Sequence, residues 1–110
     1  MAQNDMFVIM YKMISYLYEC MKGGVSPADE RWSAREYSIP DSYWRKIVIE
    51  LVRHDYVKGV EIDVTTLGTA IRPVDPYVTM EGVQFAQENS MMAKARSFLQ
   101  DATGIVLSFV

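Results

Sequence analysis

Apolar residues crowd the segment Asp5–Lys22, DMFVIMYKMISYLYECMK, at helical spacing. The polar side of its wheel is narrow: Lys12, Ser15, Glu19 and Lys22, with Val8 among them. Roughly two thirds of the circumference is apolar, including Phe7, Ile9, Met10, Met13, Ile14, Tyr16, Leu17, Tyr18 and Met21. A helix packed on one side does not need so wide an arc. This one is expected either to be central to the fold or to meet a second protomer along one flank. Gly23-Gly24 ends it, because glycine adopts the left-handed closing conformation without steric cost.

Val25–Trp32 reads as a loop, or a short turn of helix around Ser26-Pro27. Ser33 then caps a brief helix, Ala34–Tyr37, which stops at Ser38-Ile39-Pro40 because the residue before proline resists helical angles. Asp41 or Ser42 caps a third helix that reaches about His54, with Trp44, Ile47, Val48 and Leu51 at core-facing spacing. Two short helices joined by a tight turn make a helix-turn-helix arrangement.

The pattern then changes period. In Tyr56–Val64, Val60, Ile62 and Val64 alternate with Glu61 and Asp63 as in a half-buried strand, and Gly59 marks a candidate bulge. Thr65–Gly68 turns the chain and Thr69–Val74 returns as a second strand, so the hairpin is the expected wing of a winged helix. Helix resumes after the expected cap Thr79, and Asn89-Ser90 can break it and cap another, with Met92, Ala95, Leu99 and Ala102 as its apolar seam. Gly104 precedes the apolar run IVLSFV, which is expected to dock on the core or on a partner. The expected architecture is one α+β domain over residues 1–110. It comprises a winged helix-turn-helix core at about 5–78, a helical extension at about 79–103, and an apolar tail at 104–110.

A chain of 110 residues, half apolar and 23% charged, can bury a core without metal or disulfides. Its one cysteine cannot form an intramolecular bridge. The start MAQNDMF lacks the marks of a secretory signal, and charged residues interrupt the richest apolar run, so a cytoplasmic protein without a membrane span is expected. The net charge is −3, and only residues 41–59 are net positive, with four basic and three acidic side chains. Any phosphate-binding surface is therefore small and local.

The run YWRKIVIELVRHDYVKGVEI, the junction YVTMEGVQFAQENS and the following SMMAKARSFLQ resemble the YjcQ family, small winged-helix proteins of Gram-positive bacteria and their phages. The resemblance covers roughly residues 5–100 and implies the winged-helix fold. It brings no catalytic residues and no defined ligand.

In helix-turn-helix proteins the second helix of the pair enters the major groove. Opposite the core stripe of the third helix lie Ser42, Lys46, Ile49 and Arg53, with Arg45 and Glu50 at the flanks and Tyr43 near the start. Ser42, Tyr43, Arg45, Lys46 and Arg53 are the candidate nucleic-acid contacts, and Ile49 could meet a thymine methyl. An ordinary solvated helix face explains the same residues about equally well.

The hairpin is acidic at Glu61 and Asp63, with Lys58 and Arg72 at its ends, so it would touch nucleic acid through Thr65, Thr66, Thr69 and backbone groups. The rival expectation is a protein-interaction module using Ile49, the first helix and the tail residues Ile105, Val106, Leu107 and Phe109. A homodimer suits either reading. His54 is most simply a residue favoured at a helix C-terminus, Cys20 a core residue and Asp29-Glu30 a solvated pair. No zinc spacing, phosphate loop or nucleophile elbow is present. The expectation is a non-enzyme without cofactor or metal that binds double-stranded DNA weakly or within a complex.

Overall fold

A computed structural model of the chain describes residues 1–103. The element order is α1 (Met6–Gly23), a single 3-10 turn (Asp29–Arg31), α2 (Asp41–Arg53), β1 (Val57–Thr65), β2 (Gly68–Val78), α3 (Met80–Glu88) and α4 (Ser90–Thr103). Among the described residues the fold is α+β, with four helices and a two-stranded antiparallel sheet.

Helix α1 is the centre of the molecule, packing against α2, α3, α4 and β2. Its wide apolar arc is thereby covered within one chain, and Val8, which the wheel grouped with polar residues, is fully buried with Ile9, Met13, Ile14 and Leu17. Asp5 caps α1 by accepting from the Phe7 amide at 2.9 Å. The expected stripe of α2, Trp44, Ile47, Val48 and Leu51, faces this core, and so do Met92, Ala95 and Leu99 of α4. Ala102's side chain and the tail, including Ile105, Val106, Leu107 and Phe109, lie outside the described residues.

The expected brief helix at Ala34–Tyr37 is instead a single turn. Ser33 does cap it, accepting from the Glu36 amide at 3.4 Å, but four residues give too few bonds to extend a nucleus. The turn closes at once through Ile39 N–H to Ala34 C=O (3.1 Å) and Ser38 N–H to Arg35 C=O (3.2 Å), with Ser38 left-handed at φ 54°. This is the Schellman pattern.

The same closure ends α1 and α2. After α1, Val25 donates to Cys20 (3.0 Å) and Gly24 to Met21 (3.2 Å), with Gly24 at φ 68°. After α2, Tyr56 donates to Leu51 (2.9 Å) and Asp55 to Val52 (3.0 Å), with Asp55 at φ 60°. Asp55 explains how RHDYVKGVEI passes from helix to strand without glycine or proline at the turn. An aspartate tolerates the left-handed region better than most residues.

At the other end of α2 the cap is Pro40, which offers no side-chain hydrogen bond, and Asp41 is already inside the first turn. The expected capping by Asp41 or Ser42 is thus corrected. Proline before the helix supplies a carbonyl for the Trp44 amide (3.0 Å) but no side-chain acceptor.

The hairpin has a two-residue loop, Thr66-Leu67, between the paired Thr65 and Gly68. Thr65 donates to the Gly68 carbonyl at 2.8 Å and accepts from the Leu67 amide at 3.2 Å. The register shifts between Lys58 and Val60: Lys58 faces Tyr77 while Val60 faces Pro73, so Val74, Asp75 and Pro76 together stand opposite Gly59. Gly59 has φ 80°, and a Cβ there would lie 1.9 Å from the Asp75 carbonyl oxygen. The bulge is therefore built on close backbone approach as well as on dihedral freedom. Beyond it, β2 continues to Val78, four residues past its expected end. Both prolines in β2 are tolerable because a two-stranded ribbon has unpaired edges.

Helices α3 and α4 are separate pieces. Thr79 caps α3 by accepting from Gly82 N–H at 3.0 Å. Asn89, extended at ψ 133°, caps α4 by accepting from Met91 and Met92 amides at 2.9 and 3.1 Å.

Two substitutions test these closures. Asp55→Gly relieves a left-handed non-glycine residue and is expected to be neutral to stabilising by up to about 1 kcal/mol in urea unfolding. Gly59→Ala must displace the Asp75 carbonyl, and the same measurement is expected to give a loss of about 2 kcal/mol or more.

Candidate nucleic-acid interface

The outer side of α2 follows from the burial of its inner one. With Trp44, Ile47, Val48 and Leu51 fixed in the core, Ser42, Lys46 and Arg53 are exposed, and Tyr43, Arg45, Ile49 and Glu50 are half-buried. The helix start is held by aromatic packing. Trp44 meets Trp32 edge-on at 5.2 Å between ring centroids and stacks on Tyr37 at 5.7 Å.

The expected contact residues divide by what they already touch. Arg45 and Lys46 have no ion pair among the described residues. Arg53 Nη1 lies 3.6 Å from Glu50 Oε1, and His54 Nε2 lies 3.4 Å from Glu50 Oε2. These are exposed pairs of the kind that contribute little and exchange readily. Tyr43 donates its hydroxyl proton to the Asn4 carbonyl at 2.7 Å, which ties the N-terminal segment to the start of α2. Burial first, and the Asp5 carboxylate second, raise its phenol above the ordinary value. Tyr43 is thus a positioning residue whose hydroxyl keeps only its accepting capacity for other partners.

On the hairpin, Glu61 and Arg72 are directly opposite and joined by a hydrogen-bonded ion pair. That hydrogen bond, with the charge of Glu61, raises the guanidinium pKa further and keeps Arg72 cationic. Its charge is answered locally, while Asp63 remains nearby and exposed, so the hairpin presents little net positive field. Its tip exposes apolar side chains, with Val64 82% and Leu67 98% accessible.

Other expectations fall outside a site. Cys20 is buried, and Asp29-Glu30 forms the exposed start of the 3-10 turn. Among the described residues no three His, Cys, Asp or Glu side chains group as metal ligands, and no helix is long and apolar enough to cross a membrane.

One constellation escaped the sequence reading. His54 stacks on Tyr56 at 5.5 Å, and Tyr56 stacks on Phe85 at 4.3 Å, so three rings join the end of α2, the start of β1 and the middle of α3. The available signal was the aromatic pair flanking Asp55, but its third member is distant in sequence.

The YjcQ protein family model matches residues 11–103, and the chain belongs to that family. No curated protein and no solved structure gives a significant match.

The aromatic support of α2 gives a pH prediction. Burial, and secondarily Glu36, push the Tyr37 phenol well above its ordinary value of 10.0, against the opposing charge of Arg31. A group with a raised folded-state pKa contributes stability that is complete below the unfolded pKa and is lost as pH rises toward the folded value. Stability in urea is expected to fall above about pH 10, and Tyr37→Phe to show a smaller alkaline loss than the unaltered chain.

Proposed function

We propose that this chain is a non-catalytic winged-helix protein that binds double-stranded DNA weakly, or as one component of a regulatory complex, through the outer face of α2. The order helix, turn, helix and hairpin supports the winged-helix reading, with the closed turn at 33–39 in place of the short second helix. The observation that carries the DNA reading is the pair Arg45 and Lys46, cations without an ion pair among the described residues, on a helix whose other side is anchored in the core. Arg53 adds a third cation, because a phosphate can replace its exposed Glu50 partner. Ser42 supplies a hydroxyl near the helix start, and Ile49 a half-buried apolar contact. Phosphate contacts would dominate the affinity and base edges would add the selectivity.

A second reading, a protein-interaction module, is favoured by the hairpin: its tip is apolar at Val64 and Leu67 and its charge is acidic or internally paired. The first helix no longer supports it, since the apolar arc of α1 is largely consumed by packing within the chain.

Fluorescence anisotropy of a mixed-sequence duplex at low and moderate salt separates the two. The DNA reading expects salt-sensitive binding, with Lys46→Ala/Arg53→Ala losing about tenfold in affinity and lowering the salt slope by about 2. Glu61→Gln/Asp63→Asn is expected to strengthen binding if the hairpin lies near phosphates. Absence of binding up to about 0.1 mM at both salts would reject DNA binding by the chain alone and favour the interaction reading.

A further inference from the structure

Residues 2–5 form a closed turn ahead of α1. Asp5 N–H donates to the Ala2 carbonyl at 3.0 Å, which puts Gln3 and Asn4 at the tip, and the Asp5 carboxylate then caps α1. Asn4 is also held from outside, because its carbonyl accepts the Tyr43 hydroxyl proton at 2.7 Å. With its backbone fixed at both places, the turn presents two exposed amide side chains in a set position.

Tyr43 also decides where that position is. Lys46 follows it by three residues, so the two are neighbours on one flank of α2. The turn therefore stands beside the cationic face, at the helix start where base contacts concentrate in helix-turn-helix proteins. Next to it is a single hollow of about 330 Å³, lined by Gln3, Asn4, Lys12, Glu36, Tyr37 and Ser38. Lys12 of α1 is half-buried and has no ion pair among the described residues. The two acids closest in this region are engaged, Asp5 with the Phe7 amide and Glu36 with Arg31 at 3.5 Å. One cation, two amides and the exposed Ser38 hydroxyl remain, and together they offer donors suited to phosphate oxygens.

We propose that this hollow is a second phosphate site of the DNA surface, in which Lys12 and the Gln3-Asn4 turn hold the backbone beside the phosphate reached by Lys46. The inference rests on the DNA reading and adds to it a contact from outside α2. One phosphate anchor leaves a helix free to pivot on the duplex, whereas two on different elements fix its angle. The Tyr43 hydroxyl, spent on Asn4, acts as the positioning residue that keeps the turn in line with α2.

The test is anisotropy of the mixed-sequence duplex with the full chain over a series of salt concentrations. Lys12→Gln is expected to weaken binding about three- to tenfold and to lower the salt slope by about 1, as the loss of one phosphate contact requires. Gln3→Ala/Asn4→Ala keeps the Asn4 carbonyl for Tyr43 and removes only exposed side chains, so it is expected to weaken binding about two- to fivefold with the slope unchanged. Glu36→Gln removes the acid of the hollow and is expected to strengthen binding, a direction that damage to the fold would not give. Urea unfolding of each variant identifies any loss of stability, and if Lys12→Gln is destabilised the turn variant decides. Should Lys12→Gln and the turn variant bind like the unaltered chain while Lys46→Ala/Arg53→Ala loses affinity, this site is rejected and the α2 surface stands. No binding by the unaltered chain would overturn both.

Discussion

The structure depends most on the packing of backbone against backbone at Tyr56. Its amide closes α2, and its carbonyl accepts from the Thr79 amide at 3.0 Å. The Thr79 hydroxyl lies 2.5 Å from the Asp55 carbonyl and 3.2 Å from that of Tyr56, while it accepts from Gly82 N–H. One proton cannot serve both carbonyls fully, so the shorter contact to Asp55 takes the larger share. A Cβ at Gly82 would approach the Tyr56 carbonyl oxygen to 2.3 Å, so the absence of a side chain lets α3 come this close. The end of α2, both ends of the hairpin and the start of α3 therefore meet within a few residues.

That convergence fixes how the hairpin leaves the core. Val57 pairs with Val78 at its base, both buried, whereas the bulge at Gly59 follows immediately and the tip beyond it is exposed. The ribbon is thus rigidly rooted and free at its end. Burial of the α2 stripe has the parallel effect of presenting a predetermined outer face, so the two surfaces available to a partner are set by the same core.

Much of this was legible because it is periodic or carried by a recognised cap. The stripe of α2, the caps Thr79 and Asn89, and the bulge at Gly59 each follow from local residue chemistry. The wheel misplaced Val8 because it assumes a solvent side, and α1 is surrounded by four elements. The three chain closures show the other limit. Gly24 announces its left-handed conformation by having no side chain, but Ser38 and Asp55 adopt the same region under hydrogen bonds and packing that no local residue pattern specifies. The α2 candidates were legible as a face, but which of its groups are already engaged depended on contacts as distant as Tyr43 with Asn4.

Glu50 shows why such engagement decides the character of a surface. It stands four residues after Lys46 and could have paired with it across one helical turn. Instead its two oxygens face the Arg53 guanidinium and the His54 imidazole, at the C-terminal end of α2, where the positive charge of Arg53 also complements the helix dipole. The consequence is an uneven field along a single helix. Arg45 and Lys46 keep their fields toward solvent, while the charge of Glu50 is answered by Arg53 at the C-terminal end. A helix whose formal charges nearly cancel can therefore present a cationic face, because the pairing geometry, rather than the sum, determines what an approaching molecule meets.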